Sequence, residues 1–203
     1  MLNPSAYYHI FNHANGDENL FREPENYRYF LQQYEKHIVP IAHTLAYCLM
    51  PNHFHLVVQI KNETELLTKT DLPGFKNLEG LVSSKIISQQ FSNLFNGYTK
   101  AFNKKYNRRG SLFIKNFKRK PILNDAQLIT AILYVHNNPV HHGFTQLMKD
   151  WTWSSVHALY HKEATIVDRE ALLSVFGTKI AFEQLHLSAE KEKLKRLSEA
   201  YET

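Results

Sequence analysis

Two mainly apolar runs separated by one turn-forming dipeptide constrain the fold of this 203-residue chain. The helical spacing of apolar residues ends before residue 41. The two apolar runs are residues 41–50 and 54–60, with Pro51 and Asn52 between them. Short apolar runs on either side of a turn signal are typical of paired strands. The pattern predicts two antiparallel strands joined by a tight turn.

Strand and helix signals alternate through the flanking sequence. Residues 7–11 are aromatic and β-prone, and residues 24–37 repeat aromatic side chains and leucine at spacings of three and four, which predicts a strand and then a helix. After a polar segment at 62–80, predicted to be a loop, a long helix is indicated by an apolar stripe of Ile87, Phe91, Leu94 or Phe95, Tyr98 and Phe102.

Two further elements follow the long helix. Residues 111–122 are predicted to form a strand, and Asn124 with Gln127 three residues later is a capping-box signature. The helix that this cap opens should run from Asp125 to about Asn137, where Pro139 is expected to stop it.

The order strand, helix, strand, strand, helix, strand, helix predicts an α+β fold, with helices packed on an antiparallel sheet of ferredoxin-like type. We expect residues 1–160 to form this domain. Residues 161–203 have helical spacing from Asp168 onward and a charged run at 190–196, which predicts a helical C-terminal appendage.

Charge and composition indicate which kinds of molecule and which compartment suit this chain. A formal net charge of +5 and a pI near 9.1 favour a polyanionic partner. The single Cys48 cannot form a disulfide within the chain, the first residues lack a secretion signal, and no apolar run is long enough to cross a bilayer. A cytoplasmic protein with no membrane contact is predicted.

His53 and His55 are the sharpest chemical feature of the sequence. Alternate residues of a strand share a face, so the two imidazoles would lie side by side and could bind one cation. In a chain with 12 histidines, they could equally be ordinary strand residues. Spacing alone leaves both readings open.

Tyr134 and Asn138 lie one helical turn apart, at the end of the helix that Asn124 caps. A tyrosine nucleophile and an amide oxygen could therefore approach one site from the same helix face. The alternative is a packing tyrosine followed by an asparagine that ends the helix before Pro139.

A basic stretch follows the long helix, with aromatic residues among its cations. We expect it to contact nucleic acid, with Phe113, Phe117 and Tyr106 available for base stacking, although such charges also protect a solvent-exposed edge strand. The predicted DNA contacts are Arg108, Arg109, Lys115, Lys118, Arg119 and Lys120.

Four ordered segments together resemble the single-tyrosine HUH transposases, especially the REP-associated tyrosine transposases. They are Met-Pro-Asn-His-Phe-His-Leu-Val-Val at 50–58, Arg-Gly-Ser-Leu-Phe at 109–113, Tyr-Val-His-Asn-Asn-Pro-Val at 134–140 and Trp-Thr-Trp-Ser-Ser at 151–155. Relatives often carry arginine where this chain has His13. The resemblance extends from about residue 8 to residue 160.

The resemblance implies a ferredoxin-like DNA transposase that nicks and joins single-stranded or hairpin DNA through a 5′-phosphotyrosine. It makes Tyr134 the nucleophile, and His53, His55 and Asn138 the ligands of Mg²⁺ or Mn²⁺, although imidazoles would also accept Zn²⁺. It leaves a monomer and a homodimer open.

Two other functions remain compatible with the same residues. A ferredoxin-like endoribonuclease would use His53 or His55 as general acid and base without a metal. A nucleic-acid-binding domain without catalysis would leave Tyr134 a structural residue.

Overall fold

A four-stranded antiparallel sheet organises the computed structural model, which describes residues 1–67 and 84–191. The strands lie in the order β2-β3-β1-β4, and every neighbouring pair is antiparallel. Their bounds are β1 Tyr7–His13, β2 Ala42–Leu49, β3 His53–Ile60 and β4 Lys118–Ile122. With helices on both faces, this is the predicted α+β architecture, and the fold class is confirmed.

The β2–β3 hairpin predicted around Pro51 and Asn52 is present. Leu49 lies opposite Phe54, and the backbone N–H of Met50 donates to the His53 carbonyl at 2.8 Å. Because strand residues alternate between faces, β3 places its histidines on one face and Phe54, with the apolar residues in register with it, on the other.

The first face of the sheet packs against two helices, α1 (Pro24–His37) and α3 (Ser84–Lys105). The apolar stripe predicted for the long helix is confirmed, because Ile87, Phe91, Leu94, Phe95, Tyr98 and Phe102 are all buried. The segment predicted to be a loop instead begins with a short helix, α2 (Glu63–Leu67). Residues 68–80 of that predicted loop lie outside the described residues.

The opposite face packs against α4 (Asp125–His141) and α5 (Arg169–Phe176), and α6 (Lys179–Lys191) packs on these two helices. The Asn124 side chain accepts from the Gln127 backbone N–H at 2.9 Å, as the capping signature predicts. Leu172 of α5 and Phe182 of α6 are fully buried in the same cluster as Tyr134. The predicted domain boundary at residue 160 stays a prediction, and residues 192–196 of the charged run lie outside the described residues.

Two element ends differ from the sequence prediction. The helix carrying Tyr134 does not stop at Pro139 but continues to His141, because proline removes only one backbone donor and the His142 N–H still donates to the Asn138 carbonyl. The strand predicted over 111–122 is confined to Lys118–Ile122, because Asn116 has a φ of +65°, which does not fit a strand ladder.

No helix within the described ranges, 1–67 and 84–191, is long and apolar enough to cross a membrane.

Candidate active site

The two histidines of β3 lie under α4, on the face away from the aromatic core. His53 and His55 are 3% and 4% exposed, and their ring centroids are 5.2 Å apart with the ring planes nearly perpendicular. They therefore share a face, as the strand period predicts.

Helix α4 brings Tyr134 and Asn138 to the same place. The Tyr134 ring meets the His55 ring edge to face at a centroid distance of 5.4 Å, and Asn138 Oδ1 lies 2.9 Å from His53 Nε2. Since α4 continues through Pro139, Asn138 keeps its helical position one turn beyond Tyr134. The structure thus gathers the predicted nucleophile and all three predicted metal ligands.

Tyr134 is buried between the sheet and α4. Its side chain and backbone together are only 4% exposed, and Asn138 is fully buried. The site therefore lies in the covered contact between the sheet and α4, with the exposed His13 and His142 at its rim, their rings 4.7 and 5.0 Å from the His53 ring.

The Nδ1 atoms of the two β3 histidines are both held by neighbouring side chains. His53 Nδ1 contacts Asn52 Oδ1 at 2.8 Å, and His55 Nδ1 contacts His9 Nε2 at 2.9 Å. A histidine that ligates a metal through one nitrogen usually has the other nitrogen hydrogen-bonded, which fixes the ring. The arrangement leaves each Nε2 as the candidate ligand atom.

Burial keeps these imidazoles neutral. Desolvation lowers the pKa of His53 to about 4, against the opposing effect of its contact with Asn138. The pKa of His55 is well below its ordinary value, first through desolvation and then through the neighbouring His9. At neutral pH both rings carry a free lone pair, which is the form that binds a cation.

The contact between His53 and Asn138 fits a bound cation. A neutral His53 that donates from Nδ1 to Asn52 turns the Nε2 lone pair toward Asn138 Oδ1, and buried Asn138 Nδ2 has no hydrogen-bond partner within the described part of the chain. A shared cation would satisfy both lone pairs, and neighbouring ligands of a six-coordinate ion lie about 3 Å apart. Two imidazoles and one amide oxygen form a neutral donor set that suits Mg²⁺, Mn²⁺ or Zn²⁺. Among residues 1–67 and 84–191, no three His, Cys, Asp or Glu side chains form a metal-binding group, here or elsewhere, so the third ligand at this site would be the Asn138 amide oxygen.

His9 is the site residue that sequence reasoning missed. Its ring stacks on the His55 ring at 5.1 Å and meets the Tyr134 ring edge to face at 5.8 Å. Desolvation, followed by the charge of Lys120, lowers its pKa to about 3. The available signal was the two-residue period of β1, which places His9 on the same face as His13.

The predicted DNA-contacting cations divide into four groups, of which Arg108 is the last. Lys118 and Lys120 lie opposite Phe11 and His9 in the β1–β4 register, which places them on the face that carries the site, whereas Arg119 belongs to the opposite face. Arg109 and Lys115 are exposed in the loop before β4.

Arg108 is engaged within the protein. Its guanidinium contacts Glu18 Oε2 at 3.0 Å, Asn103 Oδ1 at 2.9 Å and the Ser111 carbonyl at 2.8 Å. The DNA contact predicted for Arg108 stays a prediction, with few donors left to make it.

Comparison with known proteins agrees with the four sequence motifs. Over 117 residues the chain is 27% identical to a Haemophilus influenzae protein named as a REP-associated tyrosine transposase, covering 56% of this chain and 58% of that relative's length. A solved structure of a REP-associated tyrosine transposase bound to a REP hairpin matches with a TM-score of 0.57 at 15% identity, covering 82% of this chain and 86% of the other. The chain resembles this transposase family. The resemblance predicted from the motifs is confirmed, and the structural match establishes the fold. No protein-family model matches the chain.

The transposase-like segment at 151–155 attaches α4 to the edge of the sheet. Trp151 Nε1 donates to the Leu49 carbonyl at 3.0 Å, and Ser155 Oγ accepts from the Tyr47 backbone N–H at 2.7 Å. Ser155 Oγ also lies 2.8 Å from Nε2 of the buried His136 on α4. These contacts fix the helix that carries Tyr134, which explains the segment as a positioning element.

Proposed function

We propose that this chain cleaves and rejoins single-stranded DNA, as a transposase that forms a covalent 5′-phosphotyrosine at Tyr134. The observation that carries the proposal is the placement of Tyr134 and Asn138, one turn apart on α4, against the paired histidines of β3. The likeness to a relative named as a REP-associated tyrosine transposase supports the same reaction class.

The Tyr134 hydroxyl oxygen would attack the phosphorus of one phosphodiester. A tyrosine–phosphate bond forms at the 5′ end, and the bond from phosphorus to the 3′ oxygen breaks. The released 3′ oxygen takes up a proton to become a hydroxyl, which balances the proton that the phenol loses. A later attack by a 3′-hydroxyl on the phosphotyrosine reverses these bond changes. Strands are therefore joined without ATP.

The buried donors define what the protein itself contributes. His53, His55 and Asn138 would hold Mg²⁺ or Mn²⁺, which supplies positive charge to the phosphate oxygens and eases formation of the phenolate. Asn52 and His9 orient the two imidazoles through their Nδ1 atoms. Lys118 and Lys120, on the same face of the sheet, would hold the flanking phosphates.

The burial of Tyr134 favours an unpaired strand as the substrate. Tyr134 lies between the sheet and α4, so a phosphodiester must enter past the rim formed by His13 and His142. A single strand can reach such a covered site more easily than a duplex, whose backbone is held at fixed spacing. Hairpin DNA with single-stranded flanks is the proposed substrate form.

A metal-free endoribonuclease fits the site less well. General acid–base catalysis works best with groups whose pKa lies near the working pH, whereas the pKa of His53 is about 4 and that of His55 is well below its ordinary value. Neither ring carries the proton that a general acid must give to a leaving group.

Denaturing gel electrophoresis tests the proposal. Wild-type protein is mixed with a labelled hairpin that has single-stranded flanks, with Mg²⁺ or Mn²⁺ or with excess EDTA. We expect a protein–DNA band that survives denaturation only when the cation is present. The same hairpin made of RNA is assayed in parallel. Cleavage of that RNA in EDTA without such a band would support the endoribonuclease, and binding without cleavage of either hairpin would support a non-catalytic domain.

A further inference from the structure

A large groove lies on the side of the sheet away from Tyr134, between α3 and the irregular segment 111–117. Its volume is about 930 Å³, within the size range of ligand sites. It is lined by Asn12 of β1, by Ser92, Phe95, Asn96 and Thr99 of α3, and by residues 111 and 113–119. None of the proposed catalytic residues lines it.

The α3 wall of this groove is polar, although the same helix is apolar where it meets the core. Ser92, Asn96 and Thr99 recur at spacings of four and three, which places them on one face. The Asn96 side chain is exposed and has no hydrogen-bond partner among residues 1–67 and 84–191. Amide and hydroxyl groups of this kind can donate to and accept from the edge of a nucleobase.

The facing wall combines cations with an aromatic ring. Lys115 and Arg119 are exposed, and within the described ranges neither has an acidic partner. The Arg119 guanidinium lies 5.5 Å from the centre of the half-buried Phe117 ring. No acidic residue occurs in α3, so nothing on the opposite wall neutralises these charges.

We propose that this groove binds an unpaired nucleotide of the DNA strand, separately from the phosphodiester at Tyr134. The base would stack at Phe117 and reach the Asn96 amide with its edge, while Lys115 and Arg119 bind its phosphate. Stacking on a side chain requires a base whose face is open, so the groove selects an unpaired nucleotide over a paired one.

Strand β4 connects this groove to the proposed active site. It is an edge strand, and its alternation directs Arg119 toward the groove face and Lys120 toward the face of Tyr134, while Lys118 at the start of the strand also borders the groove. A single strand lying across this edge would meet cations on both sides. The inference rests on the proposed function, because it assigns the groove to a nucleotide flanking the cleaved position.

Paired binding measurements test the groove. Affinities of wild type, Asn96→Ala and Phe117→Leu are measured for a blunt hairpin and for the same hairpin with unpaired flanks. 2-Aminopurine is placed at each flank position in turn. Wild type should prefer the flanked hairpin about ten-fold, the size of one base–aromatic stack, with fluorescence quenched at one position. Both variants should reduce the preference and the quenching.

The control is Lys36→Ala, which removes an exposed cation from α1 and should keep the wild-type preference. Asn96→Ala keeps the test valid if Phe117→Leu unfolds, because Asn96 is exposed. Equal affinity of wild type for the two hairpins, or an unchanged preference in Asn96→Ala, would overturn the groove assignment. Loss of the covalent band, with the preference for the flanked hairpin unchanged, would instead contradict the proposed chemistry and would still support nucleotide binding in the groove.

Discussion

The two faces of the sheet bury different chemistry. The face under α1 and α3 is filled with aromatic rings, such as Phe30, Phe54 and Phe91, which are fully buried. That side also buries single polar groups, such as Thr44, which is hydrogen-bonded to Tyr34, and Gln90, whereas the face under α4 buries a cluster of imidazole and amide groups. These are His9, His53, His55, His136, Asn137 and Asn138. Apolar burial stabilises a fold, whereas a buried polar group costs free energy unless it is hydrogen-bonded. Both faces have an apolar core, so the buried polar cluster is what distinguishes the face of the proposed active site.

Hydrogen bonds within the protein explain some of the polar groups buried under α4. His186 Nδ1 donates to the Phe182 carbonyl at 2.7 Å, so its Nε2 accepts from His136 Nδ1 at 2.8 Å, and His136 Nε2 accepts from the Ser155 hydroxyl. This chain of hydrogen bonds links α6 to α4 and to the segment at 151–155. The His9, His53 and His55 cluster lies outside it and contacts Tyr134.

The largest expected effect is the loss of cleavage in variants of the face under α4. His53→Ala and His55→Ala should each reduce cation-dependent cleavage by at least about 100-fold, because one of two imidazole ligands is lost. The free energy of unfolding should also fall, by about 1–3 kcal/mol for His55→Ala, because the deletion leaves a cavity and removes the contact of His55 with the buried His9. Cleavage assays and urea unfolding of the same preparations measure both quantities. Near-normal cleavage by His55→Ala would remove that ring from the site.

The aromatic face should give the opposite result. Phe30→Ala deletes a fully buried ring and should cost about 3–5 kcal/mol of unfolding free energy. Cleavage by the molecules that remain folded should be normal, because Phe30 lies on the other side of the sheet from Tyr134. Urea unfolding and activity per folded molecule make the comparison. A specific loss of cleavage without loss of stability would show that the two faces are not separate.

Acid should destabilise the protein by protonating histidines that are buried on the α4 side of the sheet. Burial lowers the pKa of His186 to about 4, while its unfolded value stays near the usual ~6.5. The unfolded chain therefore binds more protons below pH 6.5, and stability that is present above this pH is lost as pH falls toward 4. Each such histidine contributes up to about 1.4 kcal/mol per pH unit.

Urea unfolding between pH 7.5 and 4.5, in excess EDTA, measures this slope. His186→Gln should flatten it by the contribution of one histidine. A variant with the wild-type slope would assign the acid sensitivity to other groups.

The smallest effect concerns the edge strand that both faces share. Neutralising Lys118, Arg119 and Lys120 should weaken binding to a flanked hairpin and lower the salt slope by about 0.7 for each phosphate that the protein no longer neutralises. Cleavage should recover at high protein concentration. The matched control replaces the exposed Lys36, Lys149 and Lys162, which removes the same charge elsewhere. Equal slopes for the two triple variants would exclude β4 from the DNA path.

Local patterns predicted most of the fold. The hairpin around Pro51, the α3 stripe and the Asn124 cap each depend on neighbouring residues, and all three are present. The two wrongly predicted element ends depend on contacts or backbone conformations that the local pattern does not encode. Pro139 is accommodated because α4 is packed on the sheet, and the left-handed Asn116 confines β4 to residues after it.

The predicted site residues are spatially close, but two properties of the site depend on the whole fold. Burial of Tyr134 results from the packing of α4 on β3, and the role of His9 results from pairing of β1 with β3. Neither can be read from residues that are adjacent in sequence. The motifs identified residue types, and the sheet register determines which of them meet.

The most direct test of the central claim is to identify the residue that carries DNA. The covalent complex is digested with protease and nuclease, and mass spectrometry locates the nucleotide remnant. Tyr134→Phe, which removes one hydroxyl, is treated in parallel. We predict a remnant on Tyr134 in the wild type and no covalent complex in the variant, with hairpin binding retained. A remnant on another residue, such as Tyr98 or Tyr106, or normal cleavage by Tyr134→Phe, would contradict the account.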